Sequence, residues 1–167
     1  MRIAKAFVVV VAAAIFCSHH GYAQCVSDPA DAAKSFYSQH PNFYYEDPKT
    51  VSDLVAPRLL AALKLEYACA QGDICAIEAV PWTDAQDGDV SAPIIFKAMD
   101  KTVSHAVVDM RYTFVLSESE RRQQSVKLKF ERREAGACWL LSDLIEPGGD
   151  SLLAQLEKWH KEYGHAQ

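Results

Sequence analysis

The sequence predicts an α+β protein in which N-terminal helices pack on one face of a curved four-stranded antiparallel sheet, followed by a C-terminal helix. Apolar residues recur at helical spacing between residues 30 and 70. From residue 94 to residue 144 they alternate with polar residues, as in half-buried strands. Helical spacing returns after the break at Pro147-Gly148-Gly149. Helices that precede a run of strands with short connections are typical of this fold class.

The first 23 residues have the pattern of a secretory signal peptide. Arg2 and Lys5 precede an apolar stretch from Ala6 to Cys17, and Gly21-Tyr22-Ala23 supplies small residues at a cleavage site. Because a membrane span needs about 20 apolar residues, we expect cleavage between Ala23 and Gln24 rather than retention as an anchor. The sequence therefore predicts an exported, periplasmic or secreted protein with one domain over residues 24–167 and no stable membrane insertion.

Helical segments open the predicted domain. The first runs from Ala30 to Gln39 and is capped by Asp28 or Ser27. A short helical region follows Asp47-Pro48, and a longer helix begins at Pro57 and ends at Gly72. The positions expected to face the core are Ala33, Phe36, Tyr37, Val51, Leu54, Val55, Leu59, Leu60, Leu63 and Tyr67. Residues 73–93 have the composition of a loop.

Four strands follow, over residues 94–98, 103–116, 126–130 and 137–144. In the second strand the apolar face consists of Ala106, Val108, Met110, Tyr112, Phe114 and Leu116. We expect this face to lie under the helices, and the opposite face, with His105, Asp109 and Arg111, to lie in solvent. Asp150 or Ser151 then caps a last helix from Leu152 to Tyr163.

The charge balance argues against several partner classes. Loss of Arg2 and Lys5 with the signal leaves 15 basic and 22 acidic residues, a formal charge of −7. Nucleic acids and anionic membrane surfaces both attract clustered Lys and Arg, so neither is an expected partner. A basic partner protein is electrostatically compatible with this balance, and solubility alone also explains it.

Four cysteines remain after the predicted cleavage: Cys25, Cys69, Cys75 and Cys138. In an oxidising compartment they predict two disulfides, for which three pairings are possible. A Cys69–Cys75 bridge would tie off the end of a helix, and Cys25–Cys138 would then pin the new N-terminus to a late strand. A zinc site is not expected, because there is no C-x-x-C pair and no histidine at ligand spacing.

Three stretches resemble a known bacterial family. They are the opening helix at residues 32–37, the stretch at residues 55–63 with Pro81-Trp82-Thr83-Asp84-Ala85-Gln86-Asp87, and the last strand at residues 138–145 with residues 149–156. In this order they resemble the domain of unknown function (DUF) 3828 family, within the nuclear-transport-factor-2-like, or SnoaL-like, cone fold. The resemblance implies a compact helix–sheet sandwich, a structural turn at Gln86-Asp87, and no established activity.

His105, Asp109 and Arg111 are the candidate catalytic residues, because they share one strand face. A His–Asp pair lining a cone-shaped pocket could transfer protons, and Arg111 could bind an anion. Related cone folds include isomerases and hydrolases of this kind. The alternative, which the more apolar opposite face favours, is that these side chains are solvated. No nucleophile elbow, phosphate-binding glycine loop, zinc-protease helix or cofactor motif is present, so no cofactor is expected.

Aromatic residues and one aspartate are the candidate ligand-binding residues: Tyr37, Tyr44, Trp82 and Asp87. The tyrosines belong to an aromatic cluster that could line a small apolar pocket, but core packing explains the same residues with fewer assumptions and is the preferred interpretation. Asp84, Asp87 and Asp89 could bind calcium, but they lack the spacing of a calcium loop. An Asx-stabilised turn is the preferred interpretation, and no metal is expected.

Two functions are compatible with these features. The first is a non-enzymatic binding or inhibitory protein of the cell envelope, for example a toxin-immunity-type protein, which holds another envelope or secreted protein on a sheet face or loop. The second is a small-molecule-binding protein or enzyme that uses the cone cavity. Polar residues that face an internal cavity would favour the second, and a filled apolar interior would favour the first.

Overall fold

The computed structural model describes residues 25–70, 75–134 and 137–164. The elements are α1 (Pro29–Gln39), a 3₁₀ helix (Pro48–Val51), α2 (Pro57–Cys69), β1 (Asp89–Lys101), β2 (His105–Val115), β3 (Arg121–Glu131), β4 (Leu140–Ile145) and α3 (Leu152–Tyr163). The predicted signal peptide lies outside the described residues, and export stays a prediction.

The strands form one antiparallel sheet in the order β1-β2-β3-β4, curved and unclosed. The predicted α+β class is confirmed. The prediction was wrong for the start of β1, which lies within the expected loop. Val90 pairs with Phe114 and Ser91 with Thr113 before the register shifts at Ile95, so pairing with β2 extends the strand beyond its alternating pattern. β4 starts at Leu140 instead of Ala137.

Local signals determine the helix ends. The Asp28 carboxylate accepts a hydrogen bond from the Ala30 N–H at 2.8 Å and so caps α1. The Ser151 hydroxyl accepts one from the Ala154 N–H at 3.1 Å and caps α3, whose predicted bounds are confirmed. α2 has no side-chain cap, and it begins with Pro57 at its first position.

The two faces of β2 are oriented as predicted, but the prediction that Asp109 lies in solvent was wrong, because it is only 5% exposed. Ala106, Val108, Met110, Tyr112 and Phe114 are each at most 2% exposed. They pack with residues of α1, α2 and α3, including Phe36, Leu59 and Leu156, in one apolar core. Leu116 is the exception, because it lies beyond the end of the strand and is 45% exposed.

The free edge of β4 is covered by the chain that leads into α2. The Ala56 N–H donates to the Leu141 carbonyl at 2.8 Å, and the Leu141 N–H donates to the Leu54 carbonyl at 2.9 Å. This short parallel bridge satisfies edge backbone groups that would otherwise be open to other strands. It also places α2 next to β4, where α3 packs against both.

The cysteines pair as Cys25–Cys138 and Cys69–Cys75, with Cα atoms 4.7 Å and 6.2 Å apart. Of the three possible pairings, the structure therefore has the one that ties the end of α2 and fixes the N-terminus beside β4. Trp139 strengthens that second attachment, because its indole N–H donates to the Ser27 carbonyl at 3.1 Å.

Candidate functional site

The predicted catalytic residues lie on the open face of the sheet. His105 is exposed, and its Nδ1 lies 2.9 Å from the Ser104 hydroxyl. Arg111 is also exposed, and its Nε donates to Asp109 Oδ2 at 2.5 Å. His105 and Asp109 are four residues apart on one strand, which separates their backbones by about 13 Å. The three side chains therefore do not form a proton-transfer site.

Asp109 differs from its neighbours because it is only 5% exposed on this open face. Lys97 of β1 and Lys127 of β3 are its register partners on either side, and Arg111 bonds to it directly. Three cationic residues thus surround one buried carboxylate. Within the described ranges, neither Lys97 nor Lys127 forms an ion pair within 4.0 Å.

A second buried carboxylate lies further along the same face. Asp143 of β4 accepts a hydrogen bond from Lys129 Nζ at 3.2 Å. It also accepts bonds from the Ser151 hydroxyl at 2.9 Å and the Leu153 N–H at 3.2 Å, which anchor the start of α3. We use the name basic sheet face for the surface formed by Ile95, Lys97, Arg111, Lys127 and Lys129. Asp109 and Asp143 are buried next to cations that reach solvent, whereas Asp100 and Glu131, the register partners of Val107 and His105 on the same face, are not buried.

The candidate ligand-binding aromatic residues are part of the core. Trp82 is 2% exposed, and its indole N–H donates to the Pro41 carbonyl at 2.6 Å. The Tyr37 ring meets it edge-on at 5.0 Å. Tyr44 is 5% exposed, and burial, reinforced by the neighbouring Tyr45 and Tyr37, raises its pKa to about 12. These contacts correspond to the packing interpretation of the cluster.

Asp87 and the neighbouring acids are exposed at a turn before β1. The turn is closed by a bridge in which the Val80 N–H donates to the Ala85 carbonyl at 3.0 Å. Asp84 has a φ of +50°, a conformation that aspartate tolerates better than most residues. In the part of the chain that the structure describes, no group of three or more His, Cys, Asp or Glu side chains could hold a metal ion.

The structure also contains a buried Glu–His pair that sequence reasoning missed. Glu66 of α2 is 2% exposed, and its Oε2 lies 2.9 Å from Nε2 of His160 on α3. The same carboxylate accepts hydrogen bonds from the N–H groups of Ala76 at 3.2 Å and Ile77 at 2.9 Å. The pair therefore joins α2, α3 and the segment after Cys75.

A signal for this pair was present in each helix. Glu66 follows Leu63 by three positions, and His160 follows Leu156 by four, so both polar residues occupy core-facing positions. Polar residues at such positions are buried only when they are paired. The partner, 94 residues away, is fixed by helix packing and not by local pattern.

A groove of about 370 Å³ lies between α2 and α3, and His160 of this pair is among the residues that line it. Ala61, Ala62, Leu65 and Leu156 give it mostly carbon walls, and Arg58, Glu157, His160 and Lys161 also line it. A separate cavity of about 340 Å³ lies between α1 and the Cys25–Cys138 bridge, next to Trp139. None of the predicted catalytic or ligand-binding residues lines either space.

Comparison of the chain with protein-family models, with characterised proteins and with solved structures finds no match. The resemblance to the DUF 3828 family and to the cone fold therefore stays a prediction. Across the described residues, no helix combines the length and apolar character that a membrane crossing requires.

Proposed function

We propose that this protein is an exported, non-enzymatic binding protein of the cell envelope that holds an acidic surface of a partner protein on its basic sheet face. A toxin-immunity-type or other inhibitory protein is one concrete form of this function. The observation that carries the proposal is a cluster of exposed cations, Lys97, Arg111 and Lys127, on the sheet face opposite the core, in a chain whose overall charge is negative.

Burial of Asp109 prepares this face for binding. Its carboxylate holds Arg111 in a fixed orientation, so less side-chain freedom is lost when a partner arrives. Lys97 and Lys127 extend on both sides, where their charges are available to acidic groups. Ile95 is 56% exposed beside them and offers an apolar contact. Arginine with adjacent apolar surface is a common combination at interface hot spots.

The alternative of an enzyme or binder that uses the cone cavity has less support. The core between sheet and helices is formed by apolar and aromatic side chains, with Val108, Met110 and Leu128 at 0% exposure. His105 and Arg111, which would perform the chemistry, are on the other side of the sheet. Membership of the cone-fold family is compatible with both functions and remains part of the proposal.

The proposal is tested by affinity capture with residues 24–167 as bait in the envelope fraction of the cells that produce them. The bait is compared with the K97E/K127E variant and with K34E/K64E, which reverses two exposed lysines on the helices. We expect one acidic partner to be recovered by the wild type and by K34E/K64E but not by K97E/K127E. Equal recovery by both variants would contradict the proposal.

A further inference from the structure

We infer that the free edge of β1 receives an extended segment of the partner protein, in which acidic residues that face Lys97 alternate with apolar residues that face Phe96. This segment adds a further strand to the sheet, next to the basic sheet face. The inference names the part of the partner that this face holds, and it therefore rests on the proposed function. Its basis is an open strand edge, an incompletely buried inner face and the charge beside them.

The two edges of the sheet differ in what covers them. The backbone of Leu141 in β4 bonds to Leu54 and Ala56. β1 pairs only with β2. Among the residues that the structure describes, no backbone hydrogen bond joins residues 94–100 to a segment outside the sheet. An edge of this kind presents N–H and C=O groups that can pair with another extended chain.

The inner face of β1 is only partly buried, unlike that of β2. Phe96 pairs with Met110 and so faces the core, but Phe96 is partly exposed whereas Met110 is at 0%. Ala98 and its partner Val108 differ in the same way. Because side chains of neighbouring strands lie about 5 Å apart, apolar residues of an added strand would cover Phe96 and Ala98. Burial of this carbon surface favours pairing.

Lys97 determines the charge of the segment. It is exposed on the outer face, the sheet face opposite the core, between the inward-facing Phe96 and Ala98. A second copy of β1 would bring its own Lys97 to this edge, and like charges on neighbouring strands are destabilising. A chain with acidic residues on its outer face is attracted instead, both by Lys97 and by Arg111 on the next strand.

The register of β1 limits the length of the segment. Its pairing with β2 is regular from Ile95 to Ala98 and shifts on both sides of this stretch. Pro93, just before it, has no N–H to donate. A segment of about five residues, an ordinary length for a strand, therefore fits this edge. Since side chains of a strand alternate between its two faces, acidic and apolar residues must alternate in the segment.

The inference is tested with two capped peptides, acetyl-Thr-Glu-Val-Glu-Val-Glu-Thr-amide and the same peptide with Lys in place of each Glu. NMR titration of the protein over residues 24–167 should give at least tenfold tighter binding of the glutamate peptide. The chemical-shift changes should be concentrated in residues 94–100. Absence of glutamate-peptide binding at about 1 mM, or equal affinity for the lysine peptide, would overturn the inference.

Backbone methylation of the glutamate peptide tests strand pairing itself. Successive N–H groups of a strand point to opposite edges. N-methylation of both Val residues therefore blocks one edge of the peptide, and N-methylation of the first two Glu residues blocks the other. We expect one of these peptides to lose binding and the other to bind like the unmodified peptide. Binding by both, or loss of binding by both, would overturn the inference.

A charge exchange in the protein locates the peptide. K97E should prefer the lysine peptide, whereas K34E, at an exposed position on α1, should keep the preference for the glutamate peptide. An unchanged preference in K97E would overturn the inference. The methylated peptides are compared on the wild type, so that comparison does not depend on the folding of K97E.

Two further measurements separate the possible occupants of the edge. Sedimentation of the wild type should show a monomer, and a dimer that the glutamate peptide dissociates would overturn the inference in favour of a second copy. The peptide should also displace the captured partner. A partner that K97E/K127E fails to bind but the peptide does not displace would overturn this inference and leave the proposed function intact. Peptide binding at β1 without capture of any acidic partner would instead contradict the proposed function.

Discussion

Asp109 shows how one residue can change the character of an exposed sheet face. It is 5% exposed, with Arg111 bonded to it and Lys97 and Lys127 on either side. The alternation of polar and apolar residues in β2 predicts that Asp109 is solvated. Alternation identifies the sheet face of a residue, but it does not show which side chains of the neighbouring strands lie beside it. The long side chains of adjacent cations cover a short carboxylate, as aliphatic stems commonly cover neighbouring surface.

Removal of the Asp109 charge should therefore destabilise the fold moderately. We expect D109N to lower the free energy of unfolding by about 1 kcal/mol, because the cations around it lose their anion. D100N, at an exposed position near the end of β1, should change it by less than about 0.5 kcal/mol. Urea unfolding curves measure both values, and equal effects of the two substitutions would contradict this role.

Glu146 makes stability depend on pH. It is 8% exposed, and burial raises its pKa to about 7, with further contributions from Asp84, Asp150 and Asp143. A hydrogen bond from the Gln155 amide at 3.1 Å acts in the opposite direction. Because the unfolded value is 4.5, the folded state binds more protons between pH 4.5 and 7. The stabilisation that comes from this extra proton binding by the folded state is full below pH 4.5 and is lost as the pH rises through 7.

The substitution E146Q should remove this dependence. At pH 4 the variant and the wild type should be equally stable, and at pH 8 the variant should be more stable by about 3 kcal/mol. Urea unfolding at the two pH values measures the difference. E162Q, at an exposed position on α3, is the control and should show no such change. If E146Q changed the free energy of unfolding by the same amount at both pH values, Glu146 would be excluded as the source of the pH dependence.

At the scale of elements, the Glu66–His160 pair joins α2 to α3 and to the segment after Cys75. E66A leaves the His160 Nε2–H and the N–H groups of Ala76 and Ile77 without a buried acceptor. We expect it to lower the free energy of unfolding by about 2–4 kcal/mol. K64A, on the exposed side of the same helix, should have little effect in the same denaturation experiment.

The two disulfides connect elements over very different chain lengths. Cys25–Cys138 closes a separation of 113 residues and Cys69–Cys75 one of 6. Loop-closure entropy predicts that C25A/C138A costs about 4–5 kcal/mol and C69A/C75A about 2 kcal/mol. Denaturant titration gives both values, and mass spectrometry of the wild type produced in an oxidising compartment should find no free thiol among these four cysteines. The reverse order of the two costs would contradict the entropic explanation.

The ends of a helix or strand could be predicted from the sequence where neighbouring residues determine them, but not where contacts with distant segments do. α3 begins at Leu152 because Ser151 caps it, and this signal is visible in the sequence. The start of β1 depends on a distant segment, because Val90 is part of the strand only through its pairing with Phe114 of β2. The pairing of His160 with Glu66 depends on how α2 and α3 approach each other, so neither helix alone reveals it.

On the scale of the whole molecule, the sheet separates two environments. Its inner face completes the core with α1, α2 and α3, and its outer face carries Lys97, Arg111 and Lys127. The overall formal charge is −5, so these cations form a positively charged patch on a protein whose net charge is negative. Net charge alone is compatible with a basic partner, whereas this local arrangement favours an acidic surface at close range.

The most direct test of this account is the dissociation constant of the captured partner, measured by calorimetry for the wild type, K97E/K127E and K34E/K64E. Reversal of two cations in the interface should weaken binding at least tenfold for K97E/K127E, which corresponds to about 1.4 kcal/mol. K34E/K64E should bind within about twofold of the wild type. Equal dissociation constants for all three proteins would contradict the assignment of the basic sheet face as the binding surface.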